Sequence, residues 1–103
     1  MESVRVTRWS EAQAPSEQRL RTLIQQENLA PYSWSNGAGD VYSPHSHPYD
    51  KVVYVAAVSI VWILPASGEE IETRRGDRLD LPRGVAHAAR VGPQGVTCLE
   101  AHL

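Results

Sequence analysis

From Tyr32 onward the chain is cut into short runs rich in Val, Ile, Tyr and Trp by turn residues: Gly37-Ala38-Gly39, Pro44, Pro48, residues 65–68, Pro82-Arg83-Gly84 and Gly92-Pro93-Gln94-Gly95. Many short strands in succession predict an all-β sandwich or barrel. Residues 52–64 predict one long strand or two continuous ones, and residues 69–74 a strand alternating about Ile71. Ahead of this region Val4, Val6 and Trp9, with polar residues between, read as a short opening strand. Leu20, Leu23 and Ile24 then recur at helical spacing within residues 16–28, with Glu17 near the start and Ala30-Pro31 closing the segment. The expected organisation is an N-terminal strand and one helix over residues 1–31, followed by a β-barrel over residues 32–103.

With 103 residues, 42% of them hydrophobic and 21% charged, there is room for one compact domain and one site. So small a core gains from a closed sheet or a dimer contact, and the opening strand is the expected place for a homodimer interface. A net charge of -2 gives no electrostatic case for nucleic acid, which is recognised by clustered Lys and Arg. The longest apolar run, residues 52–64, is interrupted by Ser59 and falls short of the roughly 20 residues that cross a bilayer, so no membrane segment is expected. Cys98 is alone and cannot form an internal disulfide, and the N-terminal stretch lacks the apolar run of a signal peptide. A cytoplasmic location is the expectation.

Two of the four histidines, His45 and His47, are separated by one residue, so in an extended chain both rings project from the same face. Imidazole nitrogen binds divalent metals such as Zn, Fe, Ni or Mn, and two ligands on one strand need a third from elsewhere. His87 is the candidate. An isolated His-x-His is more often a solvated turn, but these histidines are framed. Gly39 precedes His45 by six positions, and Gly76, Pro82, Gly84 and His87 form a second punctuated series: glycine, five residues, proline, one residue, glycine, two residues, histidine.

These two series resemble the motifs of the cupin superfamily, in its small single-domain form. GDVYSPHSHPYDK, residues 39–51, is similar to the first motif, and GDRLDLPRGVAHAARV, residues 76–91, to the second; the 24 residues between them match the compact spacing of small cupins. The resemblance covers residues 32–103. It implies a double-stranded β-helix, or jelly-roll, barrel of the RmlC-like kind, with a metal ion held by His45, His47 and His87. It also implies a small-molecule ligand. Three-histidine cupin sites occur among thiol and diketone dioxygenases, so a metal-dependent dioxygenase or isomerase is one reading. A non-catalytic barrel that captures or senses a small molecule or metal is the other, and the residues do not choose between them.

The chain departs from the pattern at three positions. Lys51, the sole lysine, stands where the family carries a glutamate ligand; Val58 stands for a glycine and Val91 for an asparagine. Counting by two from His47 turns Tyr49 and Lys51 inward and Asp50 outward, which makes Asp50 a poor substitute ligand. An ammonium beside a dication costs Coulomb energy, so Lys51 weakens the metal, loses its proton or sits against a carboxylate. Glu100, at the same parity as Cys98 and His102, is a possible partner; a bulge or the long lysine stem could instead carry the ammonium to solvent. If it faces inward, Lys51 is the candidate catalytic residue, as a base or as a stabiliser of an anionic substrate. Cys98 reads as a small core residue and His102 as solvated and frayed. Trp34, Tyr54 and Trp62 read as core or interface in preference to the lining of a pocket, and Arg74-Arg75 as a solvated edge.

Overall fold

A computed structural model describes residues 3–103 of the chain. Its elements are β1 (Arg5–Thr7), α1 (Glu17–Gln25), β2 (Tyr32–Asn36), β3 (Val41–His45), β4 (Lys51–Leu64), β5 (Glu69–Arg74), β6 (Arg78–Leu81) and β7 (His87–His102). Every pairing is antiparallel. The main path runs β1-β6-β4-β7-β2, with β3 also paired to β7 and β5 to β4. The two long strands run side by side from Lys51↔His102 to Ile63↔Ala88. Their first and second halves take different neighbours. Residues 51–54 of β4 pair with β6 and residues 59–64 with β5, while β7 pairs with β3 near His87 and with β2 near Glu100. This is the all-β architecture expected from the turn-punctuated runs, with the single long strand at residues 52–64 beginning one residue earlier.

Strand alternation explains why residues 52–56 read as a continuous apolar run: both faces are buried. Val53 and Val55 point into a core that also holds Ile60, Trp62, Leu79, Leu81, Ala89, Val91, Val96 and Cys98. Val52, Tyr54 and Ala56 face the other way and, with Leu99 and Ala101, are covered by Leu20 and Ile24 of the helix. Burying each of these two side chains contributes about 2 kcal/mol. The helix starts at Ser16, whose side chain accepts the Arg19 N–H at 3.0 Å, and Glu17 complements the dipole in the first turn. It ends earlier than the hydrophobic spacing predicts, because residues 26–28 form a turn in which Asn28 takes φ +61°. The opening strand is also shorter than expected. Trp9 leaves it, with its backbone N–H on Asp77 and its indole N–H on the Gln13 carbonyl. Among the described residues, no helix is long and apolar enough to cross a membrane.

Gly76 sits at φ +96°, and an added Cβ would lie 2.7 Å from Trp9 Cβ, so this position requires glycine on both counts. Val58 lies between two register shifts in the β4–β7 ladder and takes φ +65°, a left-handed conformation that β-branched residues rarely adopt. It is the residue that stands for a glycine of the first motif. The backbone here takes a conformation that suits glycine, although the residue is valine. Val58 is 37% exposed, so little packing is at stake. Left-handed strain of roughly 1–2 kcal/mol outweighs the extra unfolded-state freedom of a glycine, roughly 0.5–1 kcal/mol. Val58→Gly should therefore raise the unfolding free energy in urea by about 0.5–1 kcal/mol; a loss of stability would show that the side chain matters more than the backbone.

Candidate metal centre

Three histidines converge at one end of the barrel. His45 is the last residue of β3, His87 opens β7 directly opposite it, and His47 lies in the loop that leads to β4. The extended-chain expectation for His45 and His47 holds only in part, since the strand stops at His45 and the His47 ring is turned 77° to that of His45. The Gly84 N–H donates to the His47 carbonyl at 2.8 Å and so ties the two motif loops together. Gly84 does this at φ +76°, a conformation glycine takes without strain. The ring centroids lie 4.3 Å apart for His45–His87, 4.9 Å for His45–His47 and 5.2 Å for His47–His87. One nitrogen from each ring lies within 4.8 Å of the other two.

The outer nitrogens are anchored. His45 Nδ1 lies 2.7 Å from the Ser43 carbonyl and His87 Nδ1 3.0 Å from that of Val85, so each Nδ1–H donates to a carbonyl and Nε2 keeps its lone pair. His47 Nδ1 lies 3.2 Å from the Tyr49 hydroxyl, and the two rings stack at 5.0 Å. Burial, followed by the charges of Lys51, His45 and His47, pushes the His87 pKa down to about 4, against the raising effect of the Val85 carbonyl. Burial, Lys51 and His45 lower that of His47 as well. Neutral imidazoles are the form that binds metal. Among the described residues, the Nε2 of His87 is the one buried side-chain polar atom without a hydrogen-bond partner. An orphaned acceptor of this kind costs about 1–3 kcal/mol, and a cation shared with two neighbouring imidazoles removes that cost. The donor set therefore fits a divalent metal ion.

Beside the histidines, Trp34, Tyr42 and Trp62 wall a cavity of about 250 Å³ that also receives Lys51 and Glu100. Lys51 is 6% exposed and faces inward on the parity of Val53 and Val55. Its Nζ lies 3.5 Å from Glu100 Oε1. Asp50 turns away and accepts the Arg83 N–H at 2.7 Å. Glu100 also accepts from the Tyr32 hydroxyl at 2.5 Å, His102 Nε2 at 2.8 Å and the Trp34 indole at 3.1 Å. Burial alone would raise its pKa, but the Tyr32 hydrogen bond, the Lys51 charge and the bonds from His102 and Trp34 hold it below the usual carboxylate range. Burial and then the same hydrogen bond to Glu100 raise the pKa of the Tyr32 hydroxyl.

Several sequence expectations are corrected here. His102 is not frayed: β7 runs to it, its ring stacks on Tyr49 at 4.0 Å, and it bonds Glu100. Trp34 and Trp62 line the cavity rather than serving only as core, whereas Tyr54 lies on the opposite face of β4. Cys98 is fully buried in the core, as its apolar strand implies, with its thiol pKa raised by burial. Arg75 is held by the Pro15 carbonyl at 2.7 Å and is not simply a solvated edge. Tyr49, turned inward by the count from His47, does line the cavity; Tyr32 and Tyr42 line it too and were not singled out, although Tyr32 and Trp34 share a parity that would have placed them together.

No protein-family model and no curated protein matches the sequence. Solved structures do match the fold. The polyketide cyclase RemF from Streptomyces resistomycificus is 25% identical with a TM-score of 0.63, over 72% of this chain and 54% of that one, so this chain spans about half its length. An RmlC-like cupin from Shewanella frigidimarina is 22% identical (TM-score 0.62; 72% and 64% covered). A DUF861 family protein from Thermotoga maritima is 13% identical (TM-score 0.68; 98% and 100% covered).

Removing the charge of Glu100 leaves a buried ammonium unpaired, which destabilises by about 3 kcal/mol, whereas neutralising both partners leaves no charge unpaired. Urea unfolding of Glu100→Gln, which keeps an oxygen for the Tyr32, Trp34 and His102 donors, should show most of that loss, and Lys51→Met/Glu100→Gln should recover most of it. Additive losses would contradict the pairing.

Proposed function

We propose, from the premise that this chain is by its fold a small cupin, that it holds one divalent metal ion on His45, His47 and His87 and uses it to transform a small molecule. The carrying observation is the buried, unpartnered Nε2 of His87 facing two further imidazoles. Three neutral ligands would leave the ion its full charge and, at four to six coordination, one to three positions for water, oxygen or substrate. When bound, such an ion supplies dioxygen activation for a chelated diketone, enediol or thiolate if it is Fe(II), or Lewis acidity for hydration or isomerisation if it is Zn or Ni.

The chain's own residues supply the rest. Trp34, Tyr42 and Trp62 exclude water and limit the size of the guest, and Lys51 offers positive charge to an anionic oxygen. The similarity to a polyketide cyclase supports an enzyme acting on a small molecule. The ion pair of Lys51 with Glu100 favours the alternative, a non-catalytic binding or sensing barrel, because a lysine so engaged is not free to serve as a base. We place a homodimer contact on β1, whose outer edge has no strand partner among the described residues.

Protein purified without added metal should contain a transition metal by elemental analysis, and His87→Ala should lose stoichiometric binding because the two ligands at the end of β3 and in the loop after it leave the site incomplete. Retained binding in that variant would refute the triad. Oxygen uptake with Fe(II) and a panel of diketones and thiols then separates the two readings: turnover supports the enzyme, and metal binding without turnover by any metal or substrate supports the binding barrel.

A further inference from the structure

The charges around the cavity do not balance once a dication is present. The three histidines are neutral donors and bring no negative charge, and Lys51 brings a positive one into the same space. Glu100 is the one carboxylate lining the cavity, and it is already committed. Its oxygens accept from Tyr32, Trp34 and His102 at 2.5–3.1 Å, and Lys51 is its most distant partner at 3.5 Å. An ammonium carries three donors. Glu100 takes one, and it is the sole hydrogen-bond partner of Lys51 Nζ among the described residues. Two N–H groups are therefore left for the cavity.

We infer that the metal ion and a small carboxylate bind this cavity cooperatively, the carboxylate placing its negative charge between the ion and Lys51. The inference rests on the metal reading proposed above and goes beyond it by naming the ligand class and the coupling. In the family pattern a glutamate at this position brings its own negative charge to the ion; with Lys51 the sign is reversed, and the negative charge has to arrive with the ligand. Lys51 and the three histidines line the same cavity, so the charge of the ammonium acts on whatever the triad holds. A bound carboxylate relieves the repulsion between the two cations, so each partner raises the affinity of the other by the same factor. Trp34, Tyr42, Trp62 and Ala89 make the remaining wall mostly apolar, and a cavity of about 250 Å³ has room for a carboxylate on a body of roughly one aromatic ring.

Calorimetric titration with Zn²⁺, with and without benzoate, tests this, with benzamide as the neutral probe of the same shape. Benzoate should tighten Zn²⁺ binding about tenfold, Zn²⁺ should tighten benzoate binding by the same factor, and benzamide should do neither. In Lys51→Met the ion alone should bind more tightly than in the wild type and the coupling should shrink to a small residue. Lys51→Met/Glu100→Gln, which leaves no unpaired charge, carries the same expectation if the single variant folds poorly. Equal Zn²⁺ affinity with benzoate, benzamide or neither would overturn the cooperativity while leaving the metal site standing, as would full coupling retained without Lys51. If Zn²⁺ binds under no condition, the metal reading itself fails and the inference with it.

Discussion

The antiparallel ladder between β4 and β7 is the constraint from which the rest of the molecule follows. It pairs Lys51 with His102 at one end and Ile63 with Ala88 at the other, and its two register shifts let each strand serve different neighbours in its two halves. Because side chains alternate along both strands, the ladder sorts them into an inner set, with Lys51, Val53, Val55, Cys98 and Glu100, and an outer set covered by α1. Slipping the register by one residue would exchange those sets and put Lys51 and Glu100 beneath the helix. The strain at Val58 belongs to the same ladder, since it sits where the pairing changes step.

The site uses the end of this ladder. His87 begins β7, β3 docks His45 against it, and the Gly84–His47 hydrogen bond draws in the third ring. Backbone carbonyls of Ser43 and Val85 hold Nδ1 of two rings, an arrangement that fixes tautomer and orientation before any ion arrives. Opposite them a lysine replaces the acidic ligand of the family pattern, and its counter-charge comes from Glu100, a residue distant in sequence. The exchange turns a site that would carry its own negative charge into one that asks for it from a ligand.

The histidines and their frame were legible in the sequence because turns and ligands are local. Glycine and proline mark the loops, and the spacing of Gly76, Pro82, Gly84 and His87 needs no knowledge of the tertiary structure. Lys51 faces inward as the count from His47 predicts, but that count crosses a loop, residues 46–50, and what sets its direction is the parity it shares with Val53 and Val55 on β4. The network on Glu100 was not legible. Parity groups Cys98, Glu100 and His102 on one face and Tyr32 and Trp34 on another, but which faces meet depends on the pairing Tyr32↔Glu100 and Trp34↔Cys98, a contact between residues more than sixty positions apart. His102 looked frayed for the same reason: nothing local announces that Tyr49 and Glu100 hold it. The early end of α1 and the departure of Trp9 from β1 are likewise decided by contacts with Asp77 and the turn at Asn28, not by hydrophobic spacing.

X-ray absorption spectroscopy of the zinc-loaded protein addresses the centre of this account directly, because it counts the ligand shell without requiring a substrate. Three imidazole nitrogens at about 2.0 Å, with the remaining scatterers light atoms from solvent or ligand, is the result expected for His45, His47 and His87. A sulfur shell, or fewer than three imidazoles at full occupancy, would contradict it.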